Sequence, residues 1–495
     1  MARTRRGCHE GRRSCRREED IRGNAFRDRR ASAGRRQLIR SLALALTVLL
    51  CPFATAGAME IERVVSPGGI EAWLVEEPSI PVVVMEVAWK GGTATDPADK
   101  TGLANMVSGL LDEGAGDLAS AEFQERLDDV AAKMSFSAES DYFTGSLTTL
   151  ADRRDEAFDL FSLAITEPRF DEEAVERIRA QIETIVSRNR DSPDWIAANA
   201  WYKTALGDHP YALANEGTPE SIPRIARADL QDFAARVFAR DNMKIAVVGP
   251  VSAAELGTLL DRTFGALPEK ADIPAIPDVE IAPDGQVMVV VRDFPQSVVI
   301  FGLQGLSRDD PDFIPAFVMN YVLGGGSFSS RLMEQVREKR GLAYSIGTYL
   351  HPLDHAAMIF GQVGTKNERV GETLAIVRKE MARMAKEGIG EEELTDAKTF
   401  LTGSYPLRFT SNRSIANQLL GIQLEDLGID YVERRNAMIE AVTQEDIARV
   451  AKRLLKPENM LVAIVGKPDL SPDSGLPEKD DMAPASPPHP GGMPN

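Results

Sequence analysis

Past its first 58 residues the chain has no cysteine and only four histidines, His209, His351, His355 and His489. All three cysteines, Cys8, Cys15 and Cys51, precede that point. The body of the protein therefore has no disulfide framework, no thiolate metal site and no cysteine nucleophile. Lysine is missing from residues 1–58, which carry fourteen Arg and five acidic residues. The apolar run at residues 42–50 is far shorter than the roughly 20 residues of a membrane-spanning helix. Glycines 324–326 are not followed by Gly-Lys-Ser/Thr, which excludes a phosphate loop.

What is present begins with that Arg-rich head. A basic segment, a short apolar run and two small-x-small sites (Ala54-Thr55-Ala56 and Ala56-Gly57-Ala58) have the order of a secretory signal. Residues 1–58 are read as a cleaved leader, which predicts export to the periplasm and no membrane attachment afterwards. Subtracting the leader's fourteen Arg and five acids from the chain's 57 basic and 75 acidic residues leaves 43 against 70, about −27. So acidic a body repels nucleic acid and anionic membranes.

At 495 residues the chain is long enough for two or more lobes, and it repeats itself. Residues 229–249, DLQDFAARVFARDNMKIAVVG, match residues 446–466, DIARVAKRLLKPENMLVAIVG, at a constant offset of 217 with eight identities in 21. Each copy reads as an amphipathic helix, an Asn-Met turn and a buried strand ending at Gly. A spacing this long marks a duplicated domain rather than a solenoid. The predicted organisation is a first domain at 59–268, a Pro-punctuated acidic linker at 269–284, a second domain at 285–467 and a disordered tail at 468–495. Strands and helices alternate irregularly within each half. The expected fold is α+β, with two homologous lobes, each a mostly antiparallel sheet covered by helices.

The segment 101–112 is predicted to be helical, with Leu103, Met106, Val107, Leu110 and Leu111 on one buried face. Asn105, Ser108, Gly109 and Asp112 occupy the other. With its Gly102-Leu103-Ala104 entry, this segment resembles the helix that carries the inverted zinc motif, His-x-x-Glu-His, in insulinase-like zinc peptidases, the family of pitrilysin and mitochondrial processing peptidase. That motif sets two imidazoles and a general-base carboxylate on one helical face. Here its positions read Asn105, Ser108 and Gly109, so both His and the Glu are missing. The family's third ligand, a distal Glu, corresponds to Glu183. A lone carboxylate does not hold zinc usefully, and a solvated helical Glu is the simpler reading. His351-Pro352-Leu353-Asp354-His355 imitates the lost motif, but Pro352 and its β-rich surroundings point to a turn between strands.

The second half is better preserved. Residues 323–350, LGGGSFSSRLMEQVREKRGLAYSIGTYL, read locally as a flexible Gly loop, a helix capped by Ser329 or Ser330, an αL stop at Gly341 and a strand. The same stretch is similar to the second domain of bacterial insulinase-like peptidases and of processing-peptidase subunits. The resemblance implies that Arg337 and Tyr344 bind the substrate backbone and steady the charge developing on the scissile carbonyl. It also implies that Gly324, Gly325 and Gly326 handle substrate, as in the non-catalytic mitochondrial subunit.

These features together predict a non-catalytic, substrate-binding subunit of a heterodimeric zinc peptidase. It would bind no metal itself, zinc being expected in a homologous partner, and its substrates would be peptides. Two other readings fit the same residues. One is a structural or peptide-binding protein with no proteolytic role. The other is a self-sufficient metalloenzyme built on His209, Glu183 or the His351–His355 pair.

Overall fold

The computed structural model describes residues 59–281 and 285–469. The predicted leader, and the predicted tail beyond residue 469, lie outside the described residues.

The first half builds one sheet. Strands β1 (Glu62–Val65), β2 (Glu71–Glu76) and β3 (Val82–Lys90) are followed by the short pair β4 (Gly114–Ala115) and β5 (Leu118–Ala119). Strands β6 (Lys133–Ala138), β7 (Tyr142–Leu150) and β8 (Met243–Gly249) complete it. The six-stranded order is β1-β2-β8-β3-β7-β6, antiparallel except where β2 runs parallel to β8. The second half has β9 (Val287–Val291), β10 (Gln296–Gln304), β11 (Ala343–Pro352), β12 (Ala357–Lys366) and β13 (Leu461–Gly466). Their order is β11-β12-β10-β13-β9, again with one parallel pair, β13 with β9.

Set side by side and with the edge strand β1 left out, the two orders correspond strand for strand, and the repeated sequence falls on β8 and β13, each second from the edge of that five-stranded frame. Each is preceded by the helix the repeat predicts, Arg227–Val237 and Gln444–Leu454. The glycine that ends each copy has the same cause. A Cβ on Gly249 would lie 2.7 Å from the Val82 carbonyl oxygen, and one on Gly466 would lie 2.3 Å from Ser297 Oγ. Only glycine lets the strand end pass the start of its neighbour so closely.

Each sheet has its own helices on one face and a helix borrowed from the other half on the opposite face. Helix Pro193–Leu206 belongs to the first half by sequence, but it lies on β10 and β13 of the second sheet. Its Trp201 is fully buried there and donates its indole N–H to the Leu461 carbonyl at 3.1 Å. Gly302 makes room, because a Cβ there would sit 2.4 Å from the indole. In return, helix Asn412–Leu424 lies on β3 and β8 of the first sheet. Asn412 donates to the Val82 carbonyl at 2.9 Å and Gln423 to the Ile245 carbonyl at 3.0 Å. Sequence order alone assigns both helices to the wrong sheet. The connection also differs from a free spacer: Val279 N–H donates to the His355 carbonyl at 2.9 Å, and Ile281 is buried against the second sheet. No helix of the described residues is long and apolar enough to cross a membrane.

Candidate functional site

The segment predicted to be a helix over 101–112 is helical only at Leu103–Ser108. Gly109 is its C-cap, and the chain continues through tight turns, Leu110 N–H donating to the Val107 carbonyl at 2.9 Å. Glycine at the last motif position ends the helix before a further turn forms, while Leu110 and Leu111 stay buried as the periodicity required. Asp96 starts the helix. Its two carboxylate oxygens accept from Gly102 N–H at 2.9 Å and Ala104 N–H at 3.0 Å, satisfying orphan donors. Burial nevertheless pushes its pKa up to about 7.

The motif positions do not fit zinc. Gly109 offers no side chain, and a Cβ there would meet Ile178 Cγ2 at 3.2 Å. Ile178 comes from helix Glu172–Asn189, the same helix that carries Glu183. That helix turns Ala174, Val175, Ile178, Ile182 and Val186 inward and leaves Glu183 exposed. Among the described residues no group of three or more His, Cys, Asp or Glu is placed to share a metal ion.

Of the described histidines, His209 and His355 are otherwise engaged. His209 Nδ1 accepts from Tyr211 N–H at 3.2 Å, and Nε2 lies 2.7 Å from the Pro277 carbonyl oxygen, so both ring nitrogens are used. His351 is the penultimate residue of β11 and His355 sits in the β11–β12 turn, with His355 Nδ1 3.0 Å from Asp278. The His351–His355 stretch is the predicted turn between strands. Burial holds the His351 pKa below its usual value.

The second half presents a different surface. After helix Phe313–Asn320 the backbone widens into a π-turn, Tyr321–Gly325, in which Gly326 N–H donates to the Tyr321 carbonyl at 2.8 Å. The glycine run expected to be a flexible loop is thus a packed helical extension. A Cβ on Gly324 would meet Thr348 Oγ1 at 2.4 Å, and one on Gly325 would meet Asn320 Nδ2 at 2.8 Å. Glycine here serves close approach to β11. Ser330 Oγ accepts from Met333 N–H at 3.4 Å, and a second π-turn, Met333–Glu338, carries Arg337. Gly341, at φ +59°, stops this segment, with Leu342 N–H donating back to the Val336 carbonyl at 2.9 Å.

Strand β11 then pairs with β12 through a register shift between Ala343 and Ile346, and Tyr344 lies within that bulge. The irregularity throws Tyr344 outward, to 81% exposure. The Arg337 guanidinium carbon stands 4.9 Å from the Tyr344 ring centroid and 4.5 Å from that of Phe328, itself 59% exposed. Among the described residues nothing hydrogen-bonds to or ion-pairs with the Arg337 side chain. Its donors are held between two aromatic rings and are open to an incoming acceptor. Phe328 was not singled out in the sequence. Its position in the Gly-Gly-Gly-Ser-Phe run, an apolar residue between glycines and serines, was the available signal. No hydrogen bond, ion pair or ring contact links Asn105, Ser108, Gly109 or Glu183 to Arg337 or Tyr344.

Two family models match the chain: insulinase (peptidase family M16) over residues 73–218 and the peptidase M16 inactive domain over residues 224–401. The chain belongs to the insulinase-like peptidase family, M16. It is similar to the non-peptidase homolog YmxG of Helicobacter pylori, 28% identical over 69% of this chain and 78% of that protein. It is also similar to an uncharacterized zinc protease of Streptomyces coelicolor, 25% identical over 81% of this chain and 88% of the relative. Among solved structures, a peptidase M16 inactive domain from Pseudomonas fluorescens superimposes with a TM-score of 0.78 at 27% identity, covering 83% of this chain and 98% of that one. This M16 member therefore has the family fold without the family's zinc-binding motif.

Proposed function

We propose that this chain is the non-catalytic, substrate-binding subunit of a heterodimeric zinc peptidase of the periplasm. The observation that carries the proposal is the contrast within one molecule. The zinc-motif positions are Asn105, Ser108 and Gly109, whereas Arg337 is clasped, without a polar partner among the described residues, between exposed Phe328 and Tyr344. A half-buried Arg whose donors meet no polar partner among the described residues, beside a bulged and exposed Tyr, adds nothing to the core of its own lobe. Both side chains suit a peptide carbonyl, the guanidinium and the phenol acting as preorganised donors to an oxygen that gains charge. In this reading a homologous partner supplies the metal and its ligands. This chain orients the peptide backbone and stabilises the developing oxyanion.

The test is reconstitution. The full chain would be purified alone and with a homologue bearing His-x-x-Glu-His encoded beside it, with zinc measured by elemental analysis and cleavage followed on a peptide library. Cleavage by the mixture alone, with no zinc retained by this chain, is the expected result. A mixture that cleaves no better than the partner by itself would favour a structural or peptide-binding role without proteolysis. Stoichiometric zinc and cleavage by the isolated chain would refute the proposal.

A further inference from the structure

A cavity of about 790 Å³, well within the usual range for small-ligand sites, opens between the β11–β12 hairpin and the helices of the second half. The Glu139–Tyr142 turn of the first half contributes to its wall, and neither Arg337, Tyr344 nor Phe328 lines it. Its wall includes Arg435, which is 5% exposed. The Arg435 Nη1 donates to the Leu401 carbonyl at 3.1 Å and to Asn436 Oδ1 at 3.2 Å. The guanidinium carbon lies 4.1 Å from the Tyr405 ring centroid. All of these partners are neutral. Among the described residues no carboxylate is within ion-pair distance of Arg435, and Arg408, a second cation, lines the same cavity. A buried cation without a counter-ion is costly, and proteins normally pair such a charge. Burial without an anion holds the Arg435 pKa below its usual value.

The same cavity carries carboxylates elsewhere on its wall, exposed at Glu425 and Asp354 and half-buried at Asp141, with Arg308 among them. Burial raises the Glu425 pKa, Arg308 opposes the rise, and the neighbouring Asp354 and Asp141 reinforce it. Tyr142 and Lys90 already serve Asp354, at 2.9 Å and 3.5 Å, while Glu425 has no ion pair among the described residues. A single ligand with a carboxylate at one end and an ammonium at the other gives the buried cation its counter-ion and meets the open Glu425 carboxylate.

We propose that this cavity binds short zwitterionic peptides, the carboxylate seated on Arg435 and Arg408 and the ammonium on Glu425, with Tyr405 and Phe317 against apolar side chains. The proposal rests on the peptide-handling part of the function above and not on the partner, so binding to the chain alone tests it apart from cleavage.

The probes are trileucine, its C-terminal amide, its N-acetyl form and free leucine, titrated calorimetrically into the full chain. Amidation is expected to weaken binding at least about tenfold, the scale of a lost charge-assisted hydrogen bond, and acetylation by a smaller factor. Arg435→Met should abolish binding. Arg408→Gln changes an exposed side chain and leaves the fold intact, so its expected weakening keeps the test valid if the first variant does not fold. Glu425→Gln should weaken trileucine and leave the acetylated peptide unaffected. Equal affinity for acid and amide, wild-type binding by the arginine variants, or no binding of trileucine would overturn the proposal. Leucine binding as tightly as trileucine would overturn the assignment to peptides.

Discussion

The two halves repeat one sheet, yet the corresponding stretches before their edge strands could hardly differ more. In the first half, helix Ser120–Asp129 is regular, Phe123 and Leu127 point into the core, and β6 pairs with β7 without a shift. In the second, the corresponding helical segment opens into a π-turn, the strand bulges at Tyr344, and Phe328 and Tyr344 face solvent around Arg337. The duplicated fold did not require these irregularities, since the first copy forms without them. π-turns and bulges are local costs that recur at functional sites, where they re-aim side chains. The first half shows the reverse arrangement. Its motif helix is short and ends at Gly109 against Ile178.

Breaking the exchange of helices between the halves should have the largest effect. Trp201→Ala removes a fully buried indole from the face of the second sheet and is expected to cost about 3–5 kcal/mol. Because each sheet leans on a helix from the other half, circular dichroism should report one cooperative transition at lower temperature. A first half that melted separately from the second would contradict the interlocked arrangement.

A smaller effect concerns the carboxylates that begin the corresponding helices. Asp312, before helix Phe313–Asn320, is paired with Arg449 and Arg453. Asp96 is buried and its pKa is raised to about 7, against an unfolded value of about 3.9. The folded state therefore binds the proton more tightly than the unfolded state between those values. This group's contribution to stability is greatest at the acidic end of the window and declines as pH rises from about 4 to 7. Asp96→Asn abolishes that dependence and leaves one helix N–H facing an amide, a cost of about 1 kcal/mol. Melting curves at pH 5 and pH 8 should show a wider gap between variant and wild type at pH 5. An equal gap would mean that Asp96 is ionised throughout.

The smallest expected effect sharpens the comparison at the site itself. Phe328→Ala removes one of the two rings that hold Arg337, worth about 0.5–1 kcal/mol at an exposed position. Cleavage by the reconstituted pair should fall roughly two- to fivefold, with the melting temperature lowered by no more than a few degrees.

Much of this was legible in the chain. The 217-residue repeat placed β8, β13 and their helices, and Pro352 with its β-rich surroundings placed the β11–β12 turn. The missing motif was plain from Asn105, Ser108 and Gly109. What local patterns could not supply was tertiary. Helix Pro193–Leu206 looks like any other apolar helix, and nothing in its periodicity names the sheet it covers. The glycines at 324–326 suggested freedom because a residue without a side chain permits both flexibility and close approach, and only the position of Thr348 decides between them. The bulge that exposes Tyr344 arises from pairing with β12, which the sequence of β11 alone does not encode. Arg435 reads as an ordinary helical charge until its neighbours are seen to be neutral.

The central claim is that the second half's irregular surface works on substrate while the first half's motif helix does not. It is tested most directly by kcat/KM of the reconstituted pair carrying Arg337→Ala or Tyr344→Phe, with melting temperature measured alongside. We expect a loss of about 100-fold or more for Arg337→Ala, the scale of a lost oxyanion donor, with stability lowered by no more than about 1–2 kcal/mol, the worth of its two ring contacts. Full activity in both variants would contradict the account and leave this chain a scaffold beside an enzyme that does not need it.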